Sequence, residues 1–144
     1  IVGDGPNRSE IESAMPRRND VVVRFLGHRS DVKKILGGGD IFLFPSLHEN
    51  LSNALLEGMS QGLPAVAFSV GGNAEVIGRD TGVLIPPGDS LSFAHALARY
   101  VLDSNVRRFH GECARDEIAR NFSISNMAEG MFSVYRRVLS EDVK

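Results

Sequence analysis

Phe44-Pro-Ser-Leu-His-Glu-Asn-Leu-Ser-Asn-Ala-Leu-Leu-Glu-Gly-Met-Ser-Gln-Gly-Leu-Pro-Ala-Val-Ala-Phe-Ser-Val-Gly-Gly72 is the stretch that decides the fold. It reads strand, loop, helix, tight turn, strand, glycine turn. An apolar run, Ile41 to Phe44, ends at Pro45 as a strand, and a polar loop covers Ser46 to Asn50. Ser52 or Asn53 then caps a helix, because a short side-chain oxygen satisfies the free N–H groups of a first turn. Gly62 and Pro64 stop that helix, and Pro64 to Val70 is a second buried strand.

Two carboxylates mark this unit: Glu49 in the loop before the cap, and Glu57 eight residues on in the helix. The free amides and dipole of a helix start make an anion site beside them. A phosphate fits on the amides around Leu51, Ser52 and Asn53. Carboxylates only accept hydrogen bonds, so they suit sugar hydroxyls, which donate. The spacing therefore fits a ligand with phosphate in the middle and a sugar at each end, which is a nucleotide sugar.

Glu49-Asn-Leu-Ser-Asn-Ala-Leu-Leu-Glu57 resembles the E-x7-E motif of retaining GT-B glycosyltransferases, the group often called family 4. Gly58-Met-Ser-Gln-Gly-Leu-Pro-Ala-Val-Ala67 and Val70-Gly-Gly-Asn-Ala-Glu-Val-Ile77 are similar to that family's next segments. The likeness runs from Val2-Gly-Asp-Gly-Pro6 to the last helix. It implies the donor-binding domain of a two-domain transferase, with the acceptor domain and a basic Arg and Lys pair lying upstream of Ile1. By the resemblance, Glu57 holds the ribose hydroxyls and Glu49 is the catalytic-site carboxylate against the donor sugar. Asn50, Leu51, Ser52 and Asn53 meet the diphosphate and sugar through their amides. Arg29 matches a position near the nucleobase, with Lys34 nearby, although as bare residues both read rather more readily as part of a solvated basic loop, with His28 as a surface residue.

The implied chemistry is transfer of a hexosyl group, with retention, from a UDP-linked donor to an acceptor hydroxyl in glycan, polysaccharide or glycolipid synthesis. No metal or other cofactor is expected, since helix amides and cations neutralise the leaving diphosphate. Asn50 stands where the family commonly has glycine after the first Glu, and Ser52 where glycine or proline is frequent. Without the upstream cations, the chain alone is expected to bind nucleotide weakly and to catalyse little. Two other readings stay open: a non-catalytic nucleotide-binding or docking module, and a nucleotide-sugar epimerase of the same fold.

Length and composition agree with one domain, 1–144. The chain has 144 residues, 42% apolar and 24% charged, with no Trp. A net charge of −2 argues against nucleic acid as a partner. Cys113 is the single cysteine, so no intrachain disulfide forms, which favours a reducing, cytoplasmic compartment. No apolar run is long enough to span a membrane. Peripheral association of the parent with the inner face of a membrane is left open, as is the oligomeric state.

The remaining segments alternate strand and helix. Ile1-Val2 reads as the end of a strand, Asn7 or Ser9 as the cap of a helix carrying Ile11, Ala14 and Met15, and Val21 to Leu26 as a strand. Asp31 to Leu36 and Asn73 to Ile77 read as short helices, with Glu75 capping or ion-paired. Thr81 to Ile85 reads as a strand, and Ser90 or Ser92 as the cap of a long helix. That helix's apolar stripe is read as Leu91, Ala94, Leu97, Ala98, Val101 and Leu102. Asn105 to Phe122 is a further helix, and Ser123 caps a last one, in which Met127, Met131, Val134, Tyr135, Val138 and Leu139 line up as packing residues. The order implies an α/β, Rossmann-like parallel sheet with helices on both faces. Ligands in such sheets bind beyond the C-terminal ends of the strands, where Ser46 to Asn53 lies.

Overall fold

The computed structural model describes residues 1–15 and 20–141. The chain divides into two compact units, Ile1–Ile35 and Leu36–Lys144.

In the second unit, β1 (Phe42–Phe44), β2 (Ala65–Phe68) and β3 (Gly82–Ile85) form a parallel sheet in the order β1-β2-β3. The register pairs Phe42 with Ala65 and Ala65 with Gly82. β2 is central, and all four of its residues are buried. Because successive side chains alternate faces, Ala65 and Ala67 point one way and Val66 and Phe68 the other.

Each face has its own apolar core. Ala65 and Ala67 pack against Leu55 and Met59 of α3 (Asn53–Ser60), Val76 of α4 (Asn73–Val76), and Ala114 and Ile118 of α6 (Ser104–Asn121). Small side chains on β2 let these helices come close. Gly58 does the same on α3, since a Cβ there would lie 2.6 Å from Cγ of Phe42. Leu55 and Met59 are fully buried, each contributing about 1.5–3 kcal/mol by burial. Val66, Phe68 and Ile85 pack on the other face against Ala96 and Tyr100 of α5 (Ser90–Leu102), with Phe93 edge-on to Phe68. Helices thus cover both faces, and the Rossmann-like class stands.

Several expectations change. Asp89, rather than Ser90 or Ser92, caps α5: its carboxylate accepts from the Ser92 amide at 3.0 Å. Those bonds hold the Asp89 carboxyl below its ordinary range. A carboxylate one residue earlier is simply the stronger acceptor for the free amides. The buried stripe of α5 is Phe93, Ala96, Leu97 and Tyr100, whereas Leu91, Ala94, Ala98, Val101 and Leu102 are exposed. The helix carries two apolar stripes, and the sheet took the one with the aromatic rings.

The last helix, α7 (Ile124–Glu141), starts at Ser123, whose Oγ accepts from the Asn126 amide. Its Met127, Met131, Val134, Tyr135, Val138 and Leu139 are exposed instead of packed. An amphipathic pattern shows that a face is made for burial but not what buries it. Glu75 on α4 is exposed and makes no ion pair among the described residues.

The first unit contains α1 (Arg8–Ala14), which Asn7 precedes without a side-chain cap bond, and α2 (Val32–Leu36), which reaches one residue past the unit's end. Ile1-Val2 and Val21 to Leu26 are not strands. They meet in one antiparallel bridge, Gly3 with Gly27, with Leu26 N–H donating to the Ile1 carbonyl at 2.9 Å. An extended run becomes a strand only where the ladder repeats, and here Ile1 to Gly3 offers a very short partner. Val21, Val22 and Val23 are accordingly exposed, Val22 to 77%.

Candidate donor site

The loop after β1 and the turn after β2 flank an open cleft of about 610 Å³, lined by Leu47, His48, Glu49, Asn50, Val70 and Gly71. Both segments follow strand C-terminal ends, where open α/β sheets take ligands. The loop is shaped locally. Ser46 Oγ donates to the His48 carbonyl at 3.2 Å, and Ser52 caps α3 by accepting from the Leu55 amide at 3.4 Å. Between the two segments, the Gly72 N–H donates to the Asn50 carbonyl at 2.5 Å.

These contacts sort the predicted residues. Glu49 is half-buried and Asn50 exposed, both on the cleft wall. Ser52 is buried, with its hydroxyl turned into the cap, so its backbone is what it offers a ligand. Leu51 and Asn53 are exposed at the start of α3, beside the wall.

Glu57 departs from expectation. In sequence its apolar neighbours Leu55, Leu56 and Met59 read as the setting of a partly buried carboxylate in need of a partner. It is instead exposed and makes no side-chain hydrogen bond or ion pair among the described residues. At about 100° per residue, it lies some 200° around the helix from Leu55, away from the buried face. A free, solvated acceptor of this kind is available to hydroxyls.

Arg29, in the first unit, is committed to Asp31. Its Nε and Nη2 donate to the two carboxylate oxygens, each at 2.7 Å. This fork holds the Asp31 carboxyl below its usual range and raises the Arg29 pKa. The pair is exposed and therefore worth little to stability.

His48, Leu47, Val70 and Gly71 also line the cleft and were missed as site residues. The available signal was their adjacency to Glu49 and to the Gly71-Gly72 turn. A second polar cleft, of about 310 Å³, lies at the opposite ends of the strands, by Asp40 and Gly62. Its Arg107 is already engaged, donating to the Tyr100 carbonyl at 2.7 Å and lying 3.7 Å from Asp40. Among the described residues, no group of three His, Cys, Asp or Glu side chains is placed to hold a metal.

The family profile described as glycosyl transferases group 1 matches residues 1–103. The chain belongs to this family. Among similar group 1 relatives, N-acetyl-alpha-D-glucosaminyl L-malate synthase of Bacillus anthracis is 32% identical over 99% of this chain and 38% of its own length. An Escherichia coli UDP-Gal:alpha-D-GlcNAc-diphosphoundecaprenol alpha-1,3-galactosyltransferase is 32% identical over 94% of this chain and 35% of its own. Among solved structures, sucrose-phosphate synthase of Thermosynechococcus elongatus superposes with a TM-score of 0.84 at 27% identity, over 97% of this chain and 38% of that one. Anabaena HepE in complex with UDP-glucose superposes at 0.80 with 26% identity, over 92% and 40%. The chain thus spans well under half the length of these group 1 relatives. No helix among its described residues is long and apolar enough to cross a membrane.

Proposed function

We propose that this chain binds the nucleotide-sugar donor of a retaining, family 4 glycosyltransferase, with UDP as the carrier. The observation that carries this reading is the cleft at the strand C-terminal ends, with Glu49 on its wall and the capped start of α3 beside it. In this reading, Glu49 accepts from donor-sugar hydroxyls and Glu57 from the ribose hydroxyls. Amides from Asn50 to Asn53 face the diphosphate. The C1–O bond to the diphosphate breaks, and the diphosphate leaves with the electron pair. The acceptor hydroxyl forms the new C1–O bond and gives its proton to the departing diphosphate oxygen. Fixed amide dipoles stabilise the charge that develops on the leaving oxygens.

Support for UDP comes from the relatives, one named for UDP-Gal and one solved with UDP-glucose. Among the described residues, the cleft lining holds no Lys or Arg, so in this reading the cations for the diphosphate, like the acceptor domain, come from elsewhere in a two-domain parent. The isolated chain is then a weak binder and a poor catalyst, with no metal required.

The test is calorimetric or NMR titration with UDP, GDP and ADP, on the wild type and on Glu57→Ala. UDP binding, even at millimolar strength, should fall about tenfold or more in the variant, as expected for a lost hydrogen bond to a charged group. Equal affinity of the variant for UDP removes Glu57 from the site. Transfer to an acceptor by the isolated chain refutes the claim of inactivity.

A further inference from the structure

The turn Gly71-Gly72 meets the Glu49-Asn50 loop through backbone alone. Gly71 has φ +48°, and a Cβ there would lie 1.8 Å from the Glu49 carbonyl oxygen. Gly72 has an ordinary φ of −78°. Even so, a Cβ on Gly72 would come within 2.6 Å of the Asn50 carbonyl oxygen, the atom that its own N–H already bonds. Behind the turn, Asn73 is fully buried, and its Nδ2 donates to the Phe68 carbonyl at 2.9 Å. A continuous path of contacts therefore runs from the end of β2, through Asn73 and Gly72, to the backbone of Asn50. Two side-chain-free residues bring two loops closer than any Cβ permits, and they fix the height of Glu49 above the sheet.

We propose that Gly71 and Gly72 are positioning residues for the sugar end of the donor site. They seat the backbone of Glu49 and Asn50 so that the Glu49 carboxylate meets the donor-sugar hydroxyls. This rests on the donor-binding reading given above. A displacement of about an ångström at such a loop is enough to lose the aligned hydrogen bonds. Glu57, on α3, keeps its place when the loop moves, so the nucleoside end of the ligand is unaffected. The turn thereby discriminates the nucleotide sugar from the bare nucleotide.

Three substitutions in the intact protein separate contact from backbone strain. Gly72→Ala adds the clash at an ordinary φ. Gly88→Ala adds strain without a clash, since Gly88 has φ +83° and nothing within 4 Å of its Cβ position. Asn73→Ala adds no atom but releases the anchor to Phe68, and it serves if Gly72→Ala does not fold. The probes are UDP and UDP-glucose. Gly72→Ala and Asn73→Ala should each weaken UDP-glucose by about tenfold or more beyond the smaller loss of UDP, whose diphosphate meets the same loop's amides, as for one lost charge-assisted bond. Gly88→Ala should lower stability and leave both affinities unchanged. In a cycle with Glu49→Ala, the losses should not add, because the glycines act through that carboxylate. Equal weakening of UDP and UDP-glucose, or none, overturns the positioning role and leaves the nucleotide site standing. A wild type that binds neither probe overturns the donor-site reading, and this inference with it.

Discussion

Tyr100 is fully buried, and its hydroxyl lies 2.8 Å from Nδ1 of His110, which is only 7% exposed. Burial pushes the Tyr100 pKa up to about 12 and the His110 pKa down. Arg99 pushes His110 the same way, while Asp80 opposes it. Both groups are then neutral near pH 7, and a hydrogen bond joins the phenol oxygen to Nδ1, its donor set by the imidazole tautomer. Tyr100→Phe removes one partner and leaves a buried ring nitrogen without its hydrogen bond. That costs about 1–3 kcal/mol, or roughly 4–12 °C in Tm for a chain of this size.

The same pair sets a pH dependence. With the His110 pKa lower in the folded state, the unfolded chain binds more protons between that depressed value and the ordinary 6.5. The contribution is complete above pH 6.5 and is lost as pH falls through the folded value. Urea unfolding followed by circular dichroism from pH 8 to pH 5 measures both effects. The wild-type midpoint should decline below pH 6.5, and Tyr100→Phe should start lower. His110→Leu should remove this group's share of the decline. A Tyr100→Phe midpoint equal to wild type, or a decline unchanged by His110→Leu, would refute the assignment.

Asp103 accepts from the amides of Asn105 and Val106, each at 3.0 Å. Asp103→Ala should therefore cost about 1 kcal/mol in a denaturant titration. Gly58→Ala should cost about 1–3 kcal/mol by overpacking against Phe42, and a neutral result means that α3 can slide on the sheet. Met127→Ser and Met131→Ser on α7 should each change the chain's stability by no more than about 0.5 kcal/mol, because both side chains are exposed. A larger loss in either means that the α7 face is packed.

Much of this was legible in the chain. Apolar runs between glycine and proline punctuation marked β1, β2 and β3, since a buried parallel strand has few other compositions. Ser52 and Ser123 announced their helices because a cap is a local bond between neighbours in sequence. The place of Glu49 in the loop after β1 was readable because strand order alone puts that loop at the C-terminal ends of the strands.

What depended on distant partners was not legible. Val21 to Leu26 has strand composition, but a ladder needs a second strand, and Ile1 to Gly3 gives one bridge. Two stripes of α5 are apolar, and only the positions of Phe68 and Val66 decide which is buried. Glu57 turned outward because Leu55, Gly58 and Met59 claim the inner face of α3. The contact between the two loops is tertiary as well: the spacing of Asn50 and Gly72 in sequence says nothing of the 2.5 Å bond between them. Local bonds and periodicity are properties of a segment, whereas register, face selection and loop-to-loop contact are properties of what the segment meets.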